Sequence, residues 1–215
     1  QLQRGVGTST NGAGAFDAAI YTVDVTEAND APIGVSTHFT LLENATVTPI
    51  GTLVATDDEN DPIVFSIASC LINSTGASCG AVRKSVFGII PSATNAGEAT
   101  FYVNDTDGTV IDFEDAIFGS EASVYRLVIQ VKDEPTSGSP SLSGYFDVYV
   151  TILDVSEPPM FADTNQRITG YIFENLDAGT TILSLVPYAS DQDWYDTSLS
   201  FSLSPSSAFS SYFAV

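Results

Sequence analysis

The chain has 215 residues, of which 27 are Asp or Glu and six are Lys or Arg, a formal net charge of −21. So acidic a surface repels nucleic-acid phosphates and anionic lipid, which excludes both as partners. Hydrophobic residues make up 44% of the chain, enough for one or two cored domains.

The apolar residues lean to Val, Ile, Phe and Tyr, which suit pleated surfaces, and Gly, Pro, Ser and Thr interrupt them at short intervals. With no stretch of helical periodicity, the composition predicts an all-β fold. In chain order, the first alternating segment is Tyr21-x-Val23-x-Val25, which runs into the acidic hinge Glu27-Ala28-Asn29-Asp30-Ala31-Pro32. Seven short strands are then predicted at Thr37–Leu42, Gly51–Thr56, Ile63–Ile67, Val86–Ile90, Thr100–Val103, Val124–Lys132 and Tyr145–Leu153. The last of them meets a second hinge, Asp154-Val155-Ser156-Glu157-Pro158-Pro159. After each hinge comes a similar segment, Phe39 to Asp61 and Tyr171 to Asp193, with Glu-Asn, a Gly, an apolar strand and spaced acids. A repeat of this length is a domain-sized tandem unit rather than a solenoid repeat. The reading is therefore the last strands of one unit over 1–32, a complete Greek-key sandwich over 33–158 and the first half of a third unit over 159–215. Gln1 and Val215 read as cuts within a longer protein, and no apolar run reaches membrane-spanning length.

The acids cluster at Asp57 to Asp61, Asp105 to Asp115, Asp154 to Glu157 and Asp191 to Asp196. Carboxylates grouped with Asn and Gly suit a hard cation with oxygen ligands, and Ca²⁺ fits best. Cys70 and Cys79 lie close together with Gly76 between them, and in a secreted-type chain such a pair predicts a disulfide. Three N-glycosylation sequons begin at Asn44, Asn73 and Asn104; Asn73 is expected to lie in an insertion away from the hinges and to carry glycan.

These motifs, in this order, resemble the cadherin repeat family from Tyr21 onward. The family's first-strand Glu is matched by Glu43, and its ATDxD motif by Ala55-Thr56-Asp57-Asp58-Glu59. LDRE is matched by Ile111-Asp112-Phe113-Glu114, and the strand-F motif by Ile129-Gln130-Val131-Lys132-Asp133. The linker DxNDNxP is matched by both hinges. Departures are Glu59 for Asp, Pro135 for Gly, missing linker asparagines and a longer segment between Ile67 and Gly97.

The resemblance implies calcium bound between successive repeats. It assigns Glu27, Asn29, Asp30, Asp57, Glu59 and Asp133 to the first joint. Glu43, Asp112, Glu114, Asp154, Glu157, Asp191 and Asp193 fall to the second. Asp58, Asp61 and Asp196 are read as solvated surface acids. Ser156 replaces the linker's first Asn at the second joint, so two firm ions and a weaker third are expected there. The implied role is a calcium-stiffened extracellular rod serving adhesion through a homophilic or heterophilic partner, or else a filament subunit.

Other chemistries find little footing. The segment Asn104-Asp105-Thr106-Asp107-Gly108 has the glycine-to-Glu114 spacing of an EF-hand, but Val103 occupies its first ligand position and strands flank it. His38 is the chain's one histidine. With no G-x-S-x-G, H-E-x-x-H or phosphate-binding loop, the chain reads as non-catalytic.

Overall fold

The computed structural model describes residues 6–11, 15–20, 28–115, 123–162, 168–193, 198–204 and 212–215. An antiparallel pair opens the chain, β1 (Val6–Asn11) with β2 (Ala15–Ile20). Next come β3 (Ile33–Gly34), β4 (Thr37–Leu42), β5 (Thr48–Thr56) and β6 (Ile63–Ile72). A short helix, α1 (Ala81–Ser85), precedes β7 (Phe87–Pro91), β8 (Glu98–Val103), β9 (Val124–Asp133) and β10 (Ser143–Leu153). These strands form two four-stranded sheets, ordered β4-β10-β9-β6 and β3-β5-β8-β7. The first strand of the sandwich is thus divided: β3 joins one sheet antiparallel to β5, and β4 joins the other parallel to β10. The protein is all-β, as its composition predicts.

Strict alternation explains the core. Along β9, Tyr125, Leu127, Ile129 and Val131 point inward, and β10 does the same with Phe146, Val148, Val150 and Ile152. From the facing sheet, Leu53, Ala55, Ala99, Phe101 and Val103 close the interior. Each large apolar side chain contributes on the order of 1.5–3 kcal/mol on burial. Phe87 stacks on Phe101, with ring centroids 5.7 Å apart, and meets Tyr125 edge-on at 5.5 Å.

β6 runs five residues beyond the predicted end at Ile67. A bulge between Ile67 and Ser69 shifts the inward phase from Ile63 and Phe65 to Cys70 and Ile72. The broken alternation reads as a strand end, but a bulge inserts one residue without ending the ladder. The longer strand carries Asn73 to the end of the sandwich where Asn73 N–H donates to Val124 C=O at 2.9 Å. That is the Glu43 end, so the expectation that Asn73 lies away from the hinges is corrected.

Cys70 and Cys79 are disulfide-bonded, with both sulfurs in the core. After Gly80, helix α1 is too short to leave a periodic signature. Arg83 pairs with Asp115, and Lys84 Nζ donates to Ala68 C=O at 2.9 Å. Converting both cysteines to Ala should lower unfolding free energy by about 2–3 kcal/mol in the chain-entropy account of so short a loop. Urea melts of the oxidised protein and the double variant would measure this.

Past the second hinge, regular structure among the described residues is limited to β11 (Met160–Phe161), a 3₁₀ turn at Val186–Tyr188 and β12 (Ala189–Ser190), which pairs with β11. Tyr171 and Phe173 are 88% and 84% exposed, so the apolar strand residues here have no opposing sheet among the described residues.

Candidate metal centres

The sandwich has two poles, and each is acidic because strand alternation continues past the apolar residues. On β4, Phe39 and Leu41 face inward, and two residues on so does Glu43, only 3% exposed. Its two oxygens accept from Phe113 N–H at 2.8 Å and Val155 N–H at 2.6 Å. One buried carboxylate thereby ties the loop after β8 to the hinge after β10. Charge-assisted bonds of this kind are the strong ones.

Against Glu43 lie Glu114 and Asp154. One carboxylate oxygen from each of the three falls within 4.8 Å of the others, and among the described residues no other trio closes so tightly. Both Glu114 oxygens are shielded from solvent and have no hydrogen-bond partner. Burial, and then the neighbouring charge of Glu43, push the Glu114 carboxyl from 4.5 up to about 7. A carboxylate shielded from water, without a donor and beside like charge, is destabilised. A cation reverses that sign.

The other second-joint residues are drawn to the same pole. Asp112 Oδ1 accepts from Glu114 N–H at 2.9 Å and from Gln192 Nε2 at 3.3 Å. Asn44 Nδ2 donates to Glu157 Oε1 at 2.6 Å, and Glu157 N–H donates to Asp193 Oδ2 at 3.1 Å. Asp191 Oδ1 in turn accepts from Asp193 N–H at 3.1 Å. Glu157 Oε2 and Asp193 Oδ1 are left buried without partners. Burial also raises the Glu157 carboxyl above its ordinary value, despite the bond from Asn44.

At the opposite pole the inward face of β9 ends in Asp133, which is fully buried. Its oxygens accept from Leu142 N–H at 2.6 Å and from Asn29 Nδ2 at 2.7 Å. Asn29 Nδ2 also donates to Pro140 C=O at 3.2 Å, which leaves Asn29 Oδ1 buried and free. Asp57 Oδ2 and Glu59 Oε1 are likewise buried without partners. Asp30 N–H reaches Glu59 Oε2 at 3.4 Å. These residues gather at one end without closing into a trio as tight as Glu43, Glu114 and Asp154. Glu27 and Asp196 lie outside the described residues. Asp61 is more than a solvated acid, since its carboxylate accepts from Thr136 N–H at 3.3 Å and its own N–H donates to Asp57.

The free groups at both poles are oxygens, with no thiolate or imidazole among them. That donor set fits a hard cation, and a cluster of carboxylates and an amide carbonyl suits Ca²⁺ better than a softer metal. The EF-hand-like segment follows strand β8 and serves another purpose. Asp105, 2% exposed, accepts from Val110 N–H at 2.8 Å and Ile111 N–H at 3.2 Å, which shapes the loop that delivers Asp112 and Glu114. Gly108, at φ +71°, packs so closely on this pole that a Cβ there would lie 2.6 Å from the Asn44 carbonyl oxygen.

Four residues that the sequence does not assign to either joint shape the second pole: Asn44 through its amide, Asp105, Gln192 and Arg83. Arg83 holds Asp115, the residue next to Glu114, through Nε at 2.8 Å. The available signals were faint. Asn44 is marked as a sequon and as half of the repeated Glu-Asn pair, and Gln192 only as the residue between two acids.

By its strand pairing the chain is an all-β sandwich with an acidic oxygen-ligand cluster at each pole. No protein-family model matches it, and no curated protein does. Among solved structures it is similar to Drosophila N-cadherin EC1-4, at 21% identity and a TM-score of 0.47, over 84% of this chain and 38% of that one. Drosophila N-cadherin EC1-3 is similar at 19% identity and a TM-score of 0.35, over 58% and 35% of the two chains. A chimeric titin Z1Z2 is similar at 12% identity and a TM-score of 0.30, over 66% and 57%. The chain spans well under two thirds of either N-cadherin structure. Among the described residues no helix is long and apolar enough to cross a membrane.

Proposed function

We propose that this chain is a stretch of extracellular cadherin-type repeats whose joints are stiffened by calcium and which serve cell adhesion. The observation that carries the reading is the Glu114 carboxylate, buried with both oxygens unpartnered beside Glu43 and Asp154. The motif order read from the sequence supports it independently.

Calcium at such a site would supply two positive charges and accept about six to eight oxygen ligands. Glu43, Asp112 and Glu114 would hold it from the complete repeat, 33–158. Asp154 and Glu157 would come from the hinge, and Asp191 and Asp193 from the following unit. At the first joint Asn29, Asp57, Glu59 and Asp133 would act together, with Glu27 and Asp30 from the hinge. Glu43 positions the second joint even without the ion, because it binds backbone on both sides of the interval from loop to hinge. A polar hinge between sandwiches otherwise flexes.

The joints differ. Asn29 keeps a free Oδ1 toward the first, whereas Ser156 has a shorter, neutral donor at the matching place in the second. Two ions should bind the second joint firmly and a third weakly. The role is non-catalytic, and the partner is another protein surface.

Melting the calcium-stripped protein with and without added Ca²⁺ tests the reading. Ligand that binds the native state alone raises stability by mass action, about 2.7 kcal/mol at a hundredfold excess over Kd. A rise of several degrees at physiological ionic strength is expected, with Mg²⁺ giving much less. An unchanged midpoint would sink the calcium reading.

A further inference from the structure

The three sequons, scattered in sequence, meet at one end of the fold. Asn44 follows β4, Asn73 follows β6 and Asn104 follows β8. The strand registers bring these ends together. Leu42 pairs with Leu153, Ile72 with Tyr125, and Val103 with both Thr48 and Phe87. β4 and β6 are the opposite edges of one sheet, while β8 lies inside the other. Asn44, Asn73 and Asn104 therefore ring the pole that carries Glu43 and Glu114, and all three are exposed.

Their amides are not equivalent. Asn44 sits at φ 55° with its N–H bonded to Ile111 C=O at 2.8 Å, and its Nδ2 donates to Glu157. A sugar on that nitrogen would stand against the Glu157 carboxylate, inside the acidic cluster. Asn73 and Asn104 are fixed through the backbone only, by Asn73 N–H to Val124 C=O and Asn104 N–H to Val86 C=O at 2.6 Å. Their side chains make no hydrogen bond among the described residues. The third residue of the Asn73 sequon, Thr75, accepts from Ala77 N–H at 3.2 Å, so this sequon forms an ordered exposed turn.

We propose that Asn73 and Asn104 carry N-linked oligosaccharide and that Asn44 stays unmodified, its amide kept for Glu157. Each modified Nδ2 forms a bond to the anomeric carbon of an oligosaccharide carried on a lipid diphosphate. The sugar–phosphate bond breaks, the lipid diphosphate leaves with the electron pair, and the amide nitrogen gives up one proton. Two glycans on different sheets form a partial collar around this pole. The collar hinders sideways approach to the joint and leaves the Asp133 pole and the middle of both sheets bare. Partner contact would then fall on those bare surfaces. The inference rests on the extracellular part of the proposed function and not on calcium.

Glycopeptide mapping of the full chain secreted from a glycosylating eukaryotic host tests it. Enzymatic deglycosylation in ¹⁸O water should label position 73 and position 104 and leave position 44 unlabelled. N73Q and N104Q should each remove one mobility step on a gel, and N44Q none. Substantial label at position 44, or none at positions 73 and 104, would overturn the assignment. Because the map is read without calcium, a failed calcium titration and a failed glycan map are separate results.

Discussion

Replacing Glu114 with Gln is expected to act in opposite directions with and without calcium. Without calcium, the variant loses a buried carboxylate that has no donor and sits against Glu43 and Asp154. Gln keeps the shape, brings N–H donors to neighbours that are acceptors, and removes like-charge repulsion. The calcium-free melting temperature should therefore rise by a few degrees. With calcium, the same change takes away a charged ligand with two available oxygens and leaves at most one neutral carbonyl. Affinity at the inner site should fall at least tenfold, which is about 1.4 kcal/mol. Glu98→Gln, on β8 and outside both clusters, should change neither quantity. Paired calorimetric titrations and thermal melts decide the matter. If E114Q destabilises the calcium-free protein and leaves calcium affinity intact, Glu114 is a structural acid and the centre has been misassigned.

Much of the sandwich was legible because period-2 alternation in an all-β chain is a local signal. Thr37–Leu42 was predicted to the residue, and the predicted β9 and β10 fall within a residue or two of the observed bounds. The same alternation explains the centres. Glu43 and Asp133 each stand two residues past an inward apolar position, so the periodicity that built the core delivers a carboxylate to each pole. Alternation failed where geometry departed from it without leaving a sequence mark. The bulge at Ile67–Ser69 reversed the phase and hid the second half of β6, and with it the true position of Asn73. Helix α1 was invisible because five residues make barely more than one turn. The contributions of Asn44 and Arg83 depend on partners far along the chain: Glu157 for Asn44 and Asp115 for Arg83. No window of neighbouring residues contains such pairings.

The stability of the calcium-free protein should fall as pH rises, and calcium should reverse that slope. In the folded chain the Glu114 carboxyl is raised from 4.5 to about 7, by burial first and the charge of Glu43 next. Glu157 is raised as well, again chiefly by burial. A raised carboxyl binds its proton more tightly when folded than when unfolded. Its contribution is fully present below about pH 4.5 and is lost as pH climbs through about 7. Melting of stripped protein at about pH 5 should thus occur above melting at about pH 7.5. Saturating calcium requires the carboxylates deprotonated, so protons compete with it and acidification should lower the melting temperature instead. The overall charge of −21 also favours mild acidification of the stripped protein, so the local contribution must be separated from the global one. E114Q does this: it removes one charge in 27 acids yet should flatten a substantial part of the calcium-free slope. Scanning calorimetry of both proteins at three pH values, using resin-stripped protein because chelators release calcium in acid, would read all four slopes. A stripped wild-type protein that grows more stable from about pH 5 to about pH 7.5 would show that the clustered carboxylates do not strain the fold.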